Sequence, residues 1–386
     1  MMATITLLLG FIILTTPLHI EAQTPDATNN VSLSWVQNAT AKGAVCLDGS
    51  PSAYYFDQGQ GEGANNWIVY LQGGGWCVNQ TDCLIRTTYS QGSSKHMKQS
   101  MEFVDFLSNN FTENPEFYNW NRVYVPYCDG SSFTGDIEAP DTVTNVTYRG
   151  ARIFKATMDD LLSKGMNCAQ NALLMGSSAG GLATMVHCDR FRDLLPLFAR
   201  VKCLPIAGYF VHEENILGSK QFEPTFDALI DLHGSAAMLP PLCTSIMRPS
   251  LCLFPQYLLL FVKTPVFIAM SAFDQIQIRL NLFREDEVCL VSQNCTDDRK
   301  EAMQELRWDV LAALPKALPL FRGMWITSCI AHDLPYFSTL KIIGNKTFAE
   351  VFHDWYYDCD YLQVIDTSME PRNCSAYGIN PQALKY

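Results

Sequence analysis

The sequence predicts an α/β fold built on a mainly parallel sheet, and three observations carry that expectation. Short apolar runs rich in β-formers recur along the chain, at 67–71, 122–127, 171–176, 202–211, 265–270 and 324–328. Segments with helical spacing lie between some of them, as at 149–164 and 182–194. Several runs end in Gly, Ser, Asp or His, so their polar chemistry collects at strand ends, where parallel sheets place their sites.

The run Trp67-Ile-Val-Tyr-Leu71 breaks into Gln72-Gly73-Gly74-Gly75-Trp76-Cys77. Triple glycine after a strand leaves backbone N–H groups exposed and no side chain in the way of a carbonyl. A tight turn pinned by a Cys77–Cys83 bridge is the competing reading of this loop. Arg122–Tyr127 runs into Cys128-Asp129-Gly130-Ser131, where Asp129 and Asp136 suit turns better than an acid pair. Positions 153/154, 157/158 and 161/162 then give a helix closed by Gly165. Together with the next strand this makes a βαβ unit, so the strands on either side of the helix are expected to be parallel.

That next strand, Ala172–Met175, feeds Gly176-Ser177-Ser178-Ala179-Gly180 and an amphipathic segment to Leu194. Strand, Gly-x-Ser-x-Gly and helix is the context of a nucleophile elbow, with Ser178 the nucleophile. The N–H of Ala179, just after it, joins Gly74 and Gly75 as the expected oxyanion donors. The run at 265–270 leads to Asp274, and the run at 324–328 leads to His332. The order Ser178, Asp274, His332 is that of the α/β-hydrolases. A hydroxyl needs an imidazole to take its proton, and the imidazole needs a carboxylate to fix its tautomer. His332 is the preferred base. His187 sits too far along the helix after Ser178, and His96, His212, His233 and His353 follow no strand end as cleanly. Asp274 is preferred over Asp309, Asp333 and Asp354, although a helix cap is the plain alternative role for an Asp after a strand.

The 212–260 and 280–322 regions read as insertions. The first contains paired prolines at 240 and 241, which suit a turn, and the second a helix over about 299–314. Residues 1–22 carry an apolar run that reads as a signal peptide, 23–42 a polar lead-in expected to be flexible, and 43–386 one domain. Fourteen cysteines permit seven disulfides, with local staples expected at Cys77/Cys83, Cys243/Cys252 and Cys289/Cys295. Eight Asn-x-Ser/Thr sequons accompany them, at Asn30, Asn38, Asn79, Asn110, Asn145, Asn294, Asn345 and Asn373. The combination points to a secreted glycoprotein. A net charge of −12 without a Lys/Arg run argues against nucleic acid as a partner, and no stretch after the signal reads as a membrane span. No CxxC or HxxxH spacing suggests zinc, and serine chemistry needs neither a metal nor an organic cofactor.

The sequence resembles the plant-type pectin acetylesterases, in the wider family that includes the Notum carboxylesterases. The resemblance rests on Gly43-Ala-Val-Cys-Leu-Asp-Gly-Ser50, Gly73-Gly-Gly-Trp-Cys77, Asn119-Trp-Asn-Arg-Val123 and Tyr127-Cys-Asp-Gly-Ser-Ser-Phe-Thr-Gly-Asp136. Gly176-Ser-Ser-Ala-Gly-Gly181, Thr264-Pro-Val-Phe267 and Asp354-Trp-Tyr356 complete it. It implies an α/β-hydrolase-type core with disulfide-stapled insertions, a Ser178/Asp274/His332 triad, and removal of O-acetyl esters from cell-wall pectin. The chain departs from the family pattern at Ser177 and Asp333, where cysteines are usual, at Gln72, where Glu is usual, and in its tail, where Cys359 is extra. A deacylase of lipidated proteins and a carbohydrate-binding protein on a retired hydrolase scaffold are the competing functions. An Asp333 carboxylate beside His332 is expected to favour the imidazolium.

Overall fold

The computed structural model describes residues 29–212, 222–281, 289, 294–315, 322–334, 343–360 and 362–374. The expected signal peptide therefore lies outside the described residues. The described strands are β1 (Asn30–Trp35), β2 (Ala53–Asp57), β3 (Asn66–Leu71), β4 (Ser100–Glu102), β5 (Asn121–Val125) and β6 (Asn171–Ser177), then β7 (Arg200–Ile206), β8 (Val266–Asp274), β9 (Arg322–Ala331) and β10 (Gln363–Ile365). They form one sheet in the order β10-β9-β8-β7-β6-β3-β5-β2-β1-β4. The seven strands from β10 to β5 run parallel, and β2, β1 and β4 add an antiparallel edge.

The parallel strands read as continuous apolar runs because helices cover both of their faces. After the short helix α1 (Gln80–Arg86) come α2 (Gly150–Ser163) and α3 (Ala179–Asp193), which pack on one face through Ile153, Met158, Leu161, Leu182, Met185 and Phe191. The other packs against the helix Phe348–Tyr356, through Val351, Phe352 and Trp355. As expected from the βαβ reading, β5 and β6 are parallel, with β3 lying between them. Gly165 takes φ 110° just after α2, a conformation open to glycine.

The expected lead-in departs from the sequence reading. Within 23–42, Asn30–Trp35 is a strand of the antiparallel margin, paired to both β2 and β4. Its short alternation around Val31 and Leu33 buries only part of one face, too weak a pattern to separate from a polar linker. Strand β7 ends at Ile206, where Ala207 takes φ 48°, so the run expected to reach Val211 stops earlier. Pro241 opens a short helix, Pro241–Ile246, at the position where a missing N–H costs nothing.

Six disulfides form: Cys46–Cys128, Cys77–Cys83, Cys188–Cys203, Cys243–Cys252, Cys289–Cys295 and Cys329–Cys374. The three local staples are among them. Cys168 and Cys359 are free and exposed, so the seventh bridge that the count permits is not made. No described helix is long and apolar enough to cross a membrane.

Two features of the sheet position the site. Ser177 pairs with Ile206, Ile206 with Ala269, and Ala269 with Trp325. Strands β8 and β9 therefore continue for several residues beyond the level at which β6 ends. A register shift between Ser271 and Phe273 interrupts their ladder, and such a bulge bends a strand pair. The chain past β9 meets the elbow: the hydroxyl of Ser177, the last residue of β6, donates to the carboxylate of Asp333.

Candidate active site

Ser178 stands between β6 and α3 with φ 57° and ψ −123°, a backbone that L-residues rarely adopt. Two hydrogen bonds hold it there. Its N–H donates to the Ile206 carbonyl at 2.9 Å, and its own carbonyl accepts from Leu182 N at 3.0 Å. The flanking residues must be bare. A Cβ at Gly180 would lie 2.1 Å from the Leu71 carbonyl oxygen, so only glycine lets the helix start this close to β3. Ser178 is 5% exposed, and its hydroxyl is not hydrogen-bonded to His332 Nε2, which has no partner among the described residues.

Asp274 is the last residue of β8 and precedes the helix Gln275–Asn281. Both readings of it hold. Oδ1 accepts from Gln277 N at 2.9 Å and caps the helix, while Oδ2 accepts from His332 Nδ1 at 2.7 Å. One carboxylate is thus fixed by a helix start and aimed at an imidazole. Asp274 and His332 are 1% and 2% exposed. Nδ1 as donor to Asp274 leaves Nε2 as the basic nitrogen, and Nε2 is buried without a hydrogen-bond partner among the described residues. Burial opposes the charged ring, but Asp274, by charge and hydrogen bond, outweighs it. With a further contribution from Asp333, the His332 pKa is raised above the ordinary imidazole value, against the opposing charge of Arg279.

The other described histidines are occupied differently. His187 stacks on Phe154 at 4.0 Å and holds the Phe133 carbonyl, with burial pushing its pKa down to about 3. His233 lies against the Cys77–Cys83 bridge and the Cys77 carbonyl, with burial pushing it down to about 4. His212 has both nitrogens engaged, by Glu223 and the Tyr257 hydroxyl. Of the other carboxylates, Asp129 does serve a turn, accepting from the backbone of Ser131 and Phe133.

The glycine loop after β3 passes directly over the elbow. A Cβ at Gly73 would meet the Ser177 carbonyl oxygen at 2.2 Å and Ser178 Cβ at 2.9 Å. Gly74 and Gly75 take φ 150° and 63°. The loop is held by its carbonyls. Gly73 accepts from Gln91 Nε2 at 3.4 Å, Gly75 from the Tyr127 hydroxyl at 2.8 Å, and Trp76 from Arg86 at 3.0 Å. The N–H groups of Gly74, Gly75 and Ala179 donate to nothing among the described residues. Free donors on carbonyl-anchored peptides, beside a serine at a helix N-terminus, are what developing negative charge requires.

Sequence reasoning missed the residues that build this loop. Ser132, fully buried, accepts from the Trp76 indole at 2.8 Å and donates to the Ala179 carbonyl at 2.7 Å, linking the two halves of the donor set. Tyr127 and Ser132 belong to the 127–136 motif, whose glycines and polar residues read only as a turn. The loop also presents Trp76 edge-on to Phe210 at 5.0 Å and to Phe226 at 5.4 Å. Phe210 in turn lies 6.4 Å from the His332 ring. The arrangement can activate a hydroxyl, hold an oxyanion and pack a small apolar group against aromatic rings.

Comparison with known proteins identifies a family and a fold. The family model described as Pectinacetylesterase matches residues 24–376. Pectin acetylesterase 11 of Arabidopsis thaliana is 42% identical over 366 residues, covering 91% of this chain and 92% of the relative. Pectin acetylesterase 7 of the same plant is 42% identical over 354 residues, covering 88% and 90%. Among solved structures, the Wnt deacylase Notum from Drosophila superposes with a TM-score of 0.75 at 23% identity, over 89% of this chain and 97% of that one. This last likeness shows the fold, an α/β-hydrolase-like sheet flanked by helices.

Proposed function

The chain belongs to the pectin acetylesterase family and is a carboxylic ester hydrolase, and from that premise we propose that it removes O-acetyl groups from pectin by serine acyl transfer. Ser178 is the nucleophile, His332 the base and Asp274 its orienting carboxylate. The observation that carries the reading is the 2.7 Å bond from His332 Nδ1 to Asp274, which leaves Nε2 free to act as base, while the Ser177–Asp333 contact brings the residue after His332 to the elbow that holds Ser178 at φ 57°. His332 Nε2 takes the Ser178 proton as Oγ bonds to the acetyl carbon. The oxyanion is held by the N–H groups of Gly74, Gly75 and Ala179. Nε2 then gives the proton to the departing sugar oxygen, leaving an acetyl-serine. Water repeats the sequence with His332 again as base, releasing acetate and restoring the hydroxyl.

The aromatic group around Trp76 and Phe210 favours a short acyl chain, because its rings pack on one another beside the base. We assign the protein to the cell exterior, supported by six disulfides and the apolar run within residues 1–22. On this proposal residues 43–386, together with β1, act as one catalytic domain. A p-nitrophenyl ester series tests the acyl preference. Turnover should be highest for acetate and fall steeply by octanoate. A maximum at long chains would favour a deacylase of lipidated substrates instead, and no labelling by a fluorophosphonate would favour a binding protein.

A further inference from the structure

The contact between Ser177 and Asp333 joins the residue before the nucleophile to the residue after the base. The two are 156 positions apart in sequence, and the Ser177 hydroxyl donates to Asp333 Oδ1. Ser177 is buried at 8% exposure while Asp333 is exposed, so the bond lies at the boundary between the elbow and solvent. Nothing else among the described hydrogen bonds links the β6 elbow to the chain beyond β9. Among the described contacts, two sets hold His332: at the ring, Asp274 on Nδ1 with Phe210 6.4 Å away; behind it, the Cys329–Cys374 bridge and the Ser271 hydroxyl on the Cys329 carbonyl. Neither sets the distance from the imidazole to Ser178.

We propose that Ser177 and Asp333 form a positioning pair that holds the His332 ring at the Ser178 hydroxyl, with the Asp333 carboxylate also favouring the imidazolium that forms during proton transfer. This rests on the esterase reading above. Asp333 touches neither substrate nor reacting atoms; it acts through the backbone of His332 and through its charge. Two physical effects are therefore joined in one side chain. The tie is geometric, and a base displaced by about 1 Å costs on the order of a hundredfold in rate. The charge is electrostatic and long-ranged, and survives or disappears with the carboxylate.

The groups that face His332 are Asp274 from β8, Arg279 from the helix after it, and Asp333 from its own loop. The Tyr70 phenol, from β3, sits close to Ser177 and Asp333. Burial first, and then the Asp333 charge, hold its pKa well above the ordinary phenol value, so it stays neutral as His332 titrates. Asp333 is thus the one negative charge near His332 besides the Asp274 carboxylate among these groups.

A double-mutant cycle tests the pair: Ser177→Ala, Asp333→Ala and the double variant, with Asp333→Asn as the fourth protein. Each is assayed on p-nitrophenyl acetate across pH, with active sites counted by fluorophosphonate so that misfolded protein does not enter kcat. The expected result is a fall in kcat of about tenfold or more in either alanine variant, KM changed less than threefold, and no further loss in the double variant. Asp333→Asn can still accept the Ser177 hydroxyl and should lose less kcat than Asp333→Ala, while its acidic limb moves to lower pH. Ser177→Ala keeps the carboxylate and should keep more of the wild-type limb. Alanine variants within twofold of wild-type kcat would overturn the proposal, as would single losses that multiply in the double variant, or an Asp333→Asn limb that stays in place. Ser178→Ala run alongside separates the two levels. Turnover surviving in Ser178→Ala defeats the esterase reading itself, whereas a dead Ser178→Ala with a flat cycle defeats only the pair.

Discussion

Gly73→Ala places a single methyl group between the oxyanion loop and the nucleophile. The new Cβ would stand 2.2 Å from the Ser177 carbonyl oxygen and 2.9 Å from Ser178 Cβ, where ordinary contact begins at 3.4 Å. Both obstacles belong to the elbow's own backbone and first side-chain carbon, so no rotamer change removes them. One side must retreat by about 1 Å, and a misplacement of that size costs on the order of a hundredfold, or about 2.7 kcal/mol on the barrier. The loss should fall on kcat, measured with p-nitrophenyl acetate and titrated active sites, with the melting temperature recorded alongside. Gly49→Ala is the contrasting variant. Nothing lies within 4 Å of its Cβ, but φ is +79°, so it should cost about 1 kcal/mol of stability and leave kcat within twofold. A folded Gly73→Ala protein that keeps more than about a third of wild-type kcat would refute the claim that this loop is seated on the elbow.

Asp274→Asn should lower kcat by about four orders of magnitude, because the amide no longer selects the tautomer with a proton on Nδ1. Its melting temperature should change little, since Asn can still accept from Gln277 N; a loss of less than tenfold would remove Asp274 from the mechanism. Stability should also depend on pH through two buried groups of opposite sign. Burial raises Asp129 from its ordinary value to about 6, with Oδ1 lacking a partner among the described residues, so its contribution is present below about pH 4 and lost as pH rises through about 6. That shift amounts to about 3 kcal/mol. Burial lowers His187 to about 3, so its contribution is present above about pH 6.5 and lost as pH falls. Between about pH 4 and 6 the two slopes oppose each other, so urea midpoints should change little there on their account, and Asp129→Asn, which removes the falling contribution, should make the midpoint rise with pH over that range; an unchanged profile in that variant would contradict the assignment.

The central strands were legible because each is covered on both faces and so reads as an unbroken apolar run, as at Trp67–Leu71 and Val266–Met270. The elbow was legible because its backbone demands glycine at fixed offsets around Ser178. Asp274 and His332 could be chosen from many Asp and few His because strand ends collect at one edge of a parallel sheet. The strands at the two margins of the sheet, β1, β2 and β4 on one side and β10 on the other, were not legible, being short and in part half-exposed. Which N–H groups of the glycine loop remain free depends on Gln91, Tyr127 and Arg86 gripping its carbonyls, contacts between distant residues that no local pattern encodes. The Ser177–Asp333 contact shows the same limit. Two departures from a family pattern stand out in the sequence, but only the fold makes them neighbours.

Acetate release from acetylated pectin by the wild type and by Ser178→Ala, matched for concentration and melting temperature, tests the central claim most directly. The wild type should release acetate steadily and Ser178→Ala should fall by at least a thousandfold, keeping only what the oxyanion donors and binding supply. Equal rates from the two proteins, or no acetate from a folded wild type, would contradict the account.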